Sequence, residues 1–284
     1  AFAIIKSKKS DGIIGLNGSG RAPMALSSNT LLSKNIEEIP LDSPHSVTVP
    51  GAVSLFEEIA DKFGNLGLKE LCKQPIRYAE EGVVVSPRVS FDWYTHKKKL
   101  TGASEKFYLD SGKAYKAGSL FKAPMQAEVF RQIAAQGSKG FYESDVTVDL
   151  VNSLKELGGV HTLADFENVK VQYVDPIHAI LKDGSTLIEL PPNGQGITAI
   201  MMKKIMEFCN IEQFSADSFE RVHLEAEIAK IAYSARNSFI GDPQFSEIKQ
   251  NIFLDYSYLE ELSKEITLGK LLRDELETNF FTRN

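Results

Sequence analysis

Phe2-Ala3-Ile4-Ile5-Lys6 and Ile13-Ile14-Gly15-Leu16, separated by Lys8-Lys9-Ser10-Asp11-Gly12, form the stretch whose reading decides the fold. Two short apolar runs flank an Asp-Gly pair, which supplies the positive-φ preference of a hairpin turn. A β-hairpin is the expectation. Gly15-Leu16-Asn17-Gly18-Ser19-Gly20-Arg21-Ala22-Pro23 follows directly, a glycine-rich exit ending at an arginine. An Arg held on such a loop at a strand's end can meet a carboxylate bidentately while backbone N–H groups approach closely. A surface Arg paired with a local Asp or Glu is the other reading of the same residues. The run lacks the Gly-Lys-Ser/Thr ending of a P-loop and the glycine spacing of a dinucleotide fold, so nucleotide binding is rejected.

Beyond this loop, Val47-Thr48-Val49 runs into Pro50-Gly51 and an amphipathic stretch in which Ala52, Phe56, Ile59, Ala60 and Phe63 share one face. That helix stops at Gly64. From Leu68 to Phe141 the pattern is helical but broken, with Pro75 near a helix end, Pro87 in a first turn and Pro124 opening another helix. Ser144-Asp145 reads as the N-cap of a helix carrying Val148, Val151, Leu154 and Leu157 and ending at Gly158-Gly159. Ile177 to Leu181 and Thr186 to Leu190, joined by Asp183-Gly184, read as a second hairpin, ended by Pro191-Pro192-Asn193-Gly194-Gln195-Gly196. A largely buried helix is expected over Ile197 to Phe208. From Asp217 a further helix carries Leu224, Ile228, Ile231 and Ala235, and Gly241-Asp242-Pro243 ends it. No repeat occurs at solenoid or propeller periods. Strands at the beginning and late middle lie within a helical majority, which suggests an α/β chain whose sheet is completed by something else.

The 284 residues fit one large domain or two modest ones, and 43% hydrophobic with 25% charged residues indicates a folded globular protein. A formal charge of -6 argues against a general nucleic-acid surface, and the short run Lys97-Lys98-Lys99 reads as a solvated helix end. Cys72 and Cys209 sit in apolar, helix-like contexts and read as buried small hydrophobes rather than metal ligands. No apolar run reaches bilayer-spanning length. Ala1-Phe2-Ala3-Ile4-Ile5 is strand-like with no initiator Met, so an upstream segment is expected to be missing.

The candidate catalytic groups do not assemble into a set. His223 and Glu227 share a helix face at i,i+4, but the second His of a zinc helix is absent, and the pair reads as a surface contact. Glu57-Glu58, Glu80-Glu81 and Glu260-Glu261 are adjacent in sequence, diverge on a helix and read as solvated. His45, His96, His161 and His178 have no metal spacing, and no Gly-x-Ser-x-Gly elbow accompanies them. Either the protein is no enzyme, or its nucleophile lies on another chain.

Seven ordered segments carry a resemblance that decides between these. They are Gly18-Ser19-Gly20-Arg21-Ala22-Pro23, Ser46 to Val53, Ala79 to Arg88, Gly140-Phe141-Tyr142, Gly158 to Phe166, Glu189 to Gly196, and Glu225-Ala226 with Ala235-Arg236 and Gly241-Asp242-Pro243. Together they resemble the large subunit of the gamma-glutamyltranspeptidases and their acylase-like relatives. The resemblance implies an α+β chain, part of the four-layered αββα sandwich of the N-terminal nucleophile hydrolases. Residues 1–284 would be the large-subunit part of a single such domain, helix-rich over 52–166, with an upstream segment and a downstream small subunit absent. One precursor would cut itself, and Phe280-Phe281-Thr282-Arg283-Asn284 would lie at or shortly before the cleavage point. The nucleophile would be the Thr opening the small subunit, activated by its own α-amino group. No catalytic residue, metal or cofactor is then expected in this chain.

The residue this subunit would supply is Arg21, binding the carboxylate of the acyl donor. Arg21 stands immediately before Ala22-Pro23, whereas typical members separate the two, a form closer to the divergent and acylase branch. The implied activity is cleavage or transfer of gamma-glutamyl amides of the glutathione type. A cephalosporin or glutaryl-type acylase, or a non-catalytic relative serving as a binding module, is the alternative. Expected partners are the small subunit of the same precursor and a small-molecule amide, in a dimer of heterodimers, with no nucleic acid and no membrane span. The cytoplasm is favoured over secretion.

Overall fold

The computed structural model describes residues 1–8, 12–246 and 250–272. It is mixed α and β and divides into two compact units, one formed by Ala1 with Gly18–Val171, the other by Phe2–Asn17 with the chain from Gln172 onward.

In the second unit, strands Phe2–Lys6 and Ile13–Asn17 pair antiparallel, Phe2 opposite Asn17 and Lys6 opposite Ile13, as the opening pattern predicts. The Asp11 of the expected turn lies outside the described residues. Gln172–Val174 adds a third strand against Ile13–Asn17. The second hairpin pairs Ile177–Ile180 with Thr186–Glu189, and Gly184 takes φ +84° at its turn, the left-handed region that favours glycine. Helix Gly196–Phe208 buries Ile197, Ile200, Met201 and Ile205. With Leu224, Ile228 and Ile231 of helix Phe219–Phe239, and with Phe253 and Leu259, the residues Ile197, Met201 and Ile205 form the main core. Each fully buried side chain of this size contributes roughly 1.5–3 kcal/mol. Lys204 is buried beside it because its ammonium is satisfied: it donates to Ile180 O at 3.1 Å and Glu207 at 2.6 Å, and lies 4.6 Å from the Tyr256 ring centre.

In the first unit the helices include Ala52–Lys62, Lys73–Glu81, Pro87–His96, Ala103–Tyr108, Pro124–Gln136, Asp145–Glu156 and Leu163–Glu167, with other short helices between them. Pro87 and Pro124 each open a helix, where a missing N–H costs nothing. Ser144 caps as expected, accepting from Val146 N–H. Among the described residues, the strands of this unit are the pair Val83–Val84 and Leu120–Phe121. A smaller core gathers Val49, Tyr142, Val151 and Phe166.

Several burial expectations are corrected. Phe56 is 56% exposed, because Leu55 packs on Gly18 and this turns the next residue outward. Val148 and Leu157 are exposed; the buried stripe runs through Thr147, Val151 and Leu154 at i, i+4, i+7, started by the Thr147 hydroxyl donating to Phe141 O. Cys72 is buried but Cys209 only half-buried; both are free thiols, and burial pushes both upward in pKa. Glu57 is half-buried and accepts from Ser138 N–H, so it is not solvated as expected, whereas Glu80 is exposed as expected and pairs with Arg131 at the surface.

Candidate functional site

Arg21 is exposed on the first unit, at the end of a loop whose backbone is fixed on both sides. Its carbonyl accepts from Val49 N–H at 2.9 Å, and Gly18 N–H donates to Ala1 O at 2.9 Å. Two backbone segments, 18–21 and 48–51, run against each other so closely that their glycine positions have no room for a side chain. A Cβ on Gly20 would lie 1.7 Å from Val49 O, and one on Gly51 would lie 2.4 Å from Gly18 O. The glycines are thus required by close approach, and this loop cannot slide along its neighbour without a clash.

The segment 47–50 is itself held from beneath. Val49 is buried in the smaller core, and the Tyr142 hydroxyl donates to Pro50 O at 2.7 Å while accepting from Ser54 N–H at 3.2 Å. Burial pushes the Tyr142 phenol up, which keeps it a donor. His161 is fully buried and its Nε2 lies 2.8 Å from Val47 O; a carbonyl only accepts, so Nε2 donates.

Downstream of Arg21, Met24 N–H donates to Asp165 Oδ1 at 2.8 Å. The other Asp165 oxygen takes the Thr162 N–H and hydroxyl, each at 2.8 Å, closing a capping box at the start of helix Leu163–Glu167. Burial pushes the Asp165 carboxyl up, but the bonds from Met24 and Thr162, with His161 nearby, hold it below the usual carboxylate range. Both flanks of Arg21 therefore lead to residues 161–165.

The sequence pattern singles out Arg21 and is silent on this support. Thr162-Leu163-Ala164-Asp165 has the capping-box spacing that points to Asp165, although nothing local indicates its tie to Met24. Among the described residues, no group of three or more His, Cys, Asp or Glu is placed to hold a metal ion, and no helix is long and apolar enough to cross a membrane. The expected His223–Glu227 surface pair is a further correction. Glu227 is 1% exposed, binds Lys230 Nζ at 2.8 Å and accepts from Leu272 N–H at 2.8 Å, while His223 lies 3.3 Å from Thr267 O. These residues anchor a chain segment and do not form a metal helix. Phe280 to Asn284, expected near a cleavage point, lie outside the described residues.

The structure thus places an exposed arginine on a glycine loop whose backbone is held at Arg21 and at Met24. The sequence model of the gamma-glutamyltranspeptidase family matches residues 1–280, and the chain belongs to that family. It is 26% identical over 275 residues to the glutathione hydrolase proenzyme of Bacillus subtilis, covering 95% of this chain and 47% of that protein. The chain thus spans about half the length of the curated relatives it matches. The crystal structure of gamma-glutamyltranspeptidase from Helicobacter pylori superposes with a TM-score of 0.85 at 24% identity, covering 96% of this chain and 79% of that one. Cephalosporin acylase from Bacillus halodurans gives a TM-score of 0.83 at 29% identity, covering 94% of this chain and 50% of the acylase.

Proposed function

We propose that this chain is the large-subunit part of a gamma-glutamyltransferase-like amidohydrolase in which Arg21 receives the carboxylate of the acyl donor. The observation that carries this reading is the Arg21 carbonyl bonded to Val49 N–H beside a Gly20 that admits no side chain. On so fixed a backbone the loop itself need not be ordered when the guanidinium meets a carboxylate; only the side chain is. The small subunit of the same precursor supplies the Thr. Its hydroxyl attacks the amide carbonyl, its α-amino group takes the proton, and the amine leaves as an acyl-enzyme forms. Water or a second amine then releases the acyl group. The fold of the whole is the four-layered αββα sandwich, with strands from both subunits, in a dimer of heterodimers. In support, Phe2–Lys6 is an edge of its sheet among the described residues and exposes Phe2 and Ile4.

An acylase acting on glutaryl or other side-chain amides is the second reading. It is favoured by Arg21 standing directly before Ala22-Pro23. The processed two-subunit protein is to be assayed on a chromogenic gamma-glutamyl anilide and on a glutaryl amide; turnover of the second alone sinks the gamma-glutamyl reading. Arg21→Ala is expected to raise KM strongly and to cost about 2–5 kcal/mol of transition-state binding, the range for truncating one member of a charge pair that bound donor and partner subunit bury. An unchanged kcat/KM removes Arg21 from the site.

A further inference from the structure

Arg21 is tied on its C-terminal side at one point that is built from a side chain rather than from neighbouring backbone. Met24 N–H reaches across 141 residues of sequence to Asp165 Oδ1. That oxygen is held in place, because Oδ2 is occupied by Thr162 N–H and Thr162 Oγ1. Thr162 in turn adjoins the fully buried His161, which grips Val47 O, two residues before the Val49 that bonds Arg21 O. The helix that carries Asp165 is fixed by Phe166, 1% exposed in the core with Val49 and Tyr142. The loop bearing the arginine is thus held at Arg21 and again at Met24, and both holds trace back to residues 161–166.

We propose that Asp165 is a positioning residue, setting through Met24 where the Arg21 guanidinium meets the donor's carboxylate. The role rests on the reading of Arg21 as the carboxylate-binding residue. Asp165 touches no reacting atom. Its work is to keep Ala22, Pro23 and Met24 from swinging, since a shift of about 1 Å at a charge-binding residue is enough to cost orders of magnitude in rate. A carboxylate is suited to this because it accepts at both oxygens; an amide of the same shape offers one acceptor and one donor. Asp165→Asn must therefore leave either Met24 N–H or the Thr162 pair facing an NH2 group.

The test uses the processed two-subunit protein and two donors, gamma-glutamyl anilide and the 4-aminobutyryl anilide that lacks only the α-carboxylate. Asp165→Asn is expected to raise KM for the first about tenfold, the scale of one lost bond to a charged acceptor, with kcat little changed. KM for the second donor stays put. Amide hydrogen exchange at Met24 accelerates in the same variant, and Arg21→Ala combined with Asp165→Asn is no worse than Arg21→Ala alone. Equal losses on both donors, or full additivity with Arg21→Ala, overturn the positioning role and leave Arg21 standing. If Arg21→Ala itself spares the discrimination between donors, the reading of Arg21 falls and the positioning role with it. Should Asp165→Asn not mature, Thr162→Val removes the hydroxyl bond to Oδ2. A smaller KM rise confined to the carboxylate donor then supports the role, and an equal rise on both donors overturns it.

Discussion

Two carboxylates do similar work in different surroundings, one in each unit. Asp165 and Glu227 each hold the backbone N–H of a distant segment, Met24 and Leu272 respectively, at 2.8 Å. Glu227 sits 1% exposed on a helix interior beside Leu224 and Ile228, and its other oxygen meets Lys230 Nζ at 2.8 Å. Asp165 is half-buried at a helix start and satisfies its second oxygen with Thr162 alone. An ion in an apolar core needs a countercharge, whereas a half-buried one is satisfied by neutral donors. Losing the first anchor therefore falls on stability, and losing the second falls on the geometry of Arg21.

Removing Lys230 should separate the two anchors by the widest margin, because it strands the buried Glu227 charge. Lys230→Met is expected to cost about 3 kcal/mol, the low end for an uncompensated buried charge since Lys230 is itself partly solvated. The drop in urea midpoint of the processed protein measures it. Glu227→Gln deletes the charge along with its partner's role and should cost less, about 1–2 kcal/mol. Asp165→Asn belongs below both, at about 1 kcal/mol or under, because water reaches the site. A midpoint loss for Asp165→Asn as large as that for Glu227→Gln would mean the two anchors are energetically alike.

Acid gives the smallest and most diagnostic effect. Burial pushes Glu227 upward, but Lys230, the Leu272 N–H and His223 together hold it below the usual carboxylate range, as the donors around Asp165 do there. A carboxyl with a lowered folded pKa adds stability above its unfolded value, about 4, and loses it as pH falls through the folded value. Urea midpoints should thus fall from pH 7 to about pH 3, and the fall should shrink in both Glu227→Gln and Asp165→Asn. An undiminished fall in either variant removes that carboxylate from the acid response.

Much of this architecture is readable where causes are local. The Asp183-Gly184 turn, the cap at Ser144, the helix opened by Pro87, and the stripe from Leu224 to Ala235 follow from neighbours within one or two turns. The hairpin that precedes Arg21 is legible for the same reason, as is the arginine itself. Asp165 is not, because its partner Met24 is remote in sequence and no periodicity records such a bond. Glu227 reads as a surface residue from its i,i+4 spacing to His223, although it lies three residues after Leu224 and four before Ile231, on the apolar stripe itself. A charge in that position signals a buried ion pair, and Lys230 three residues later completes the pattern. Phe56 fails for a third reason: Leu55 against Gly18 sets the helix's rotation, a contact between segments that the periodicity of one helix does not contain.

The approach of Gly20 to Val49 O has a consequence for how specificity can be rewritten. Since that backbone is held and Gly20 admits no side chain, a guanidinium can be mounted along this stretch at residue 19, 21 or 22 but not at 20. If Arg21 binds the donor's carboxylate as proposed, retuning that site for a longer or shorter acid is a matter of transplanting the arginine along an unmoving scale, not of remodelling the loop that carries it.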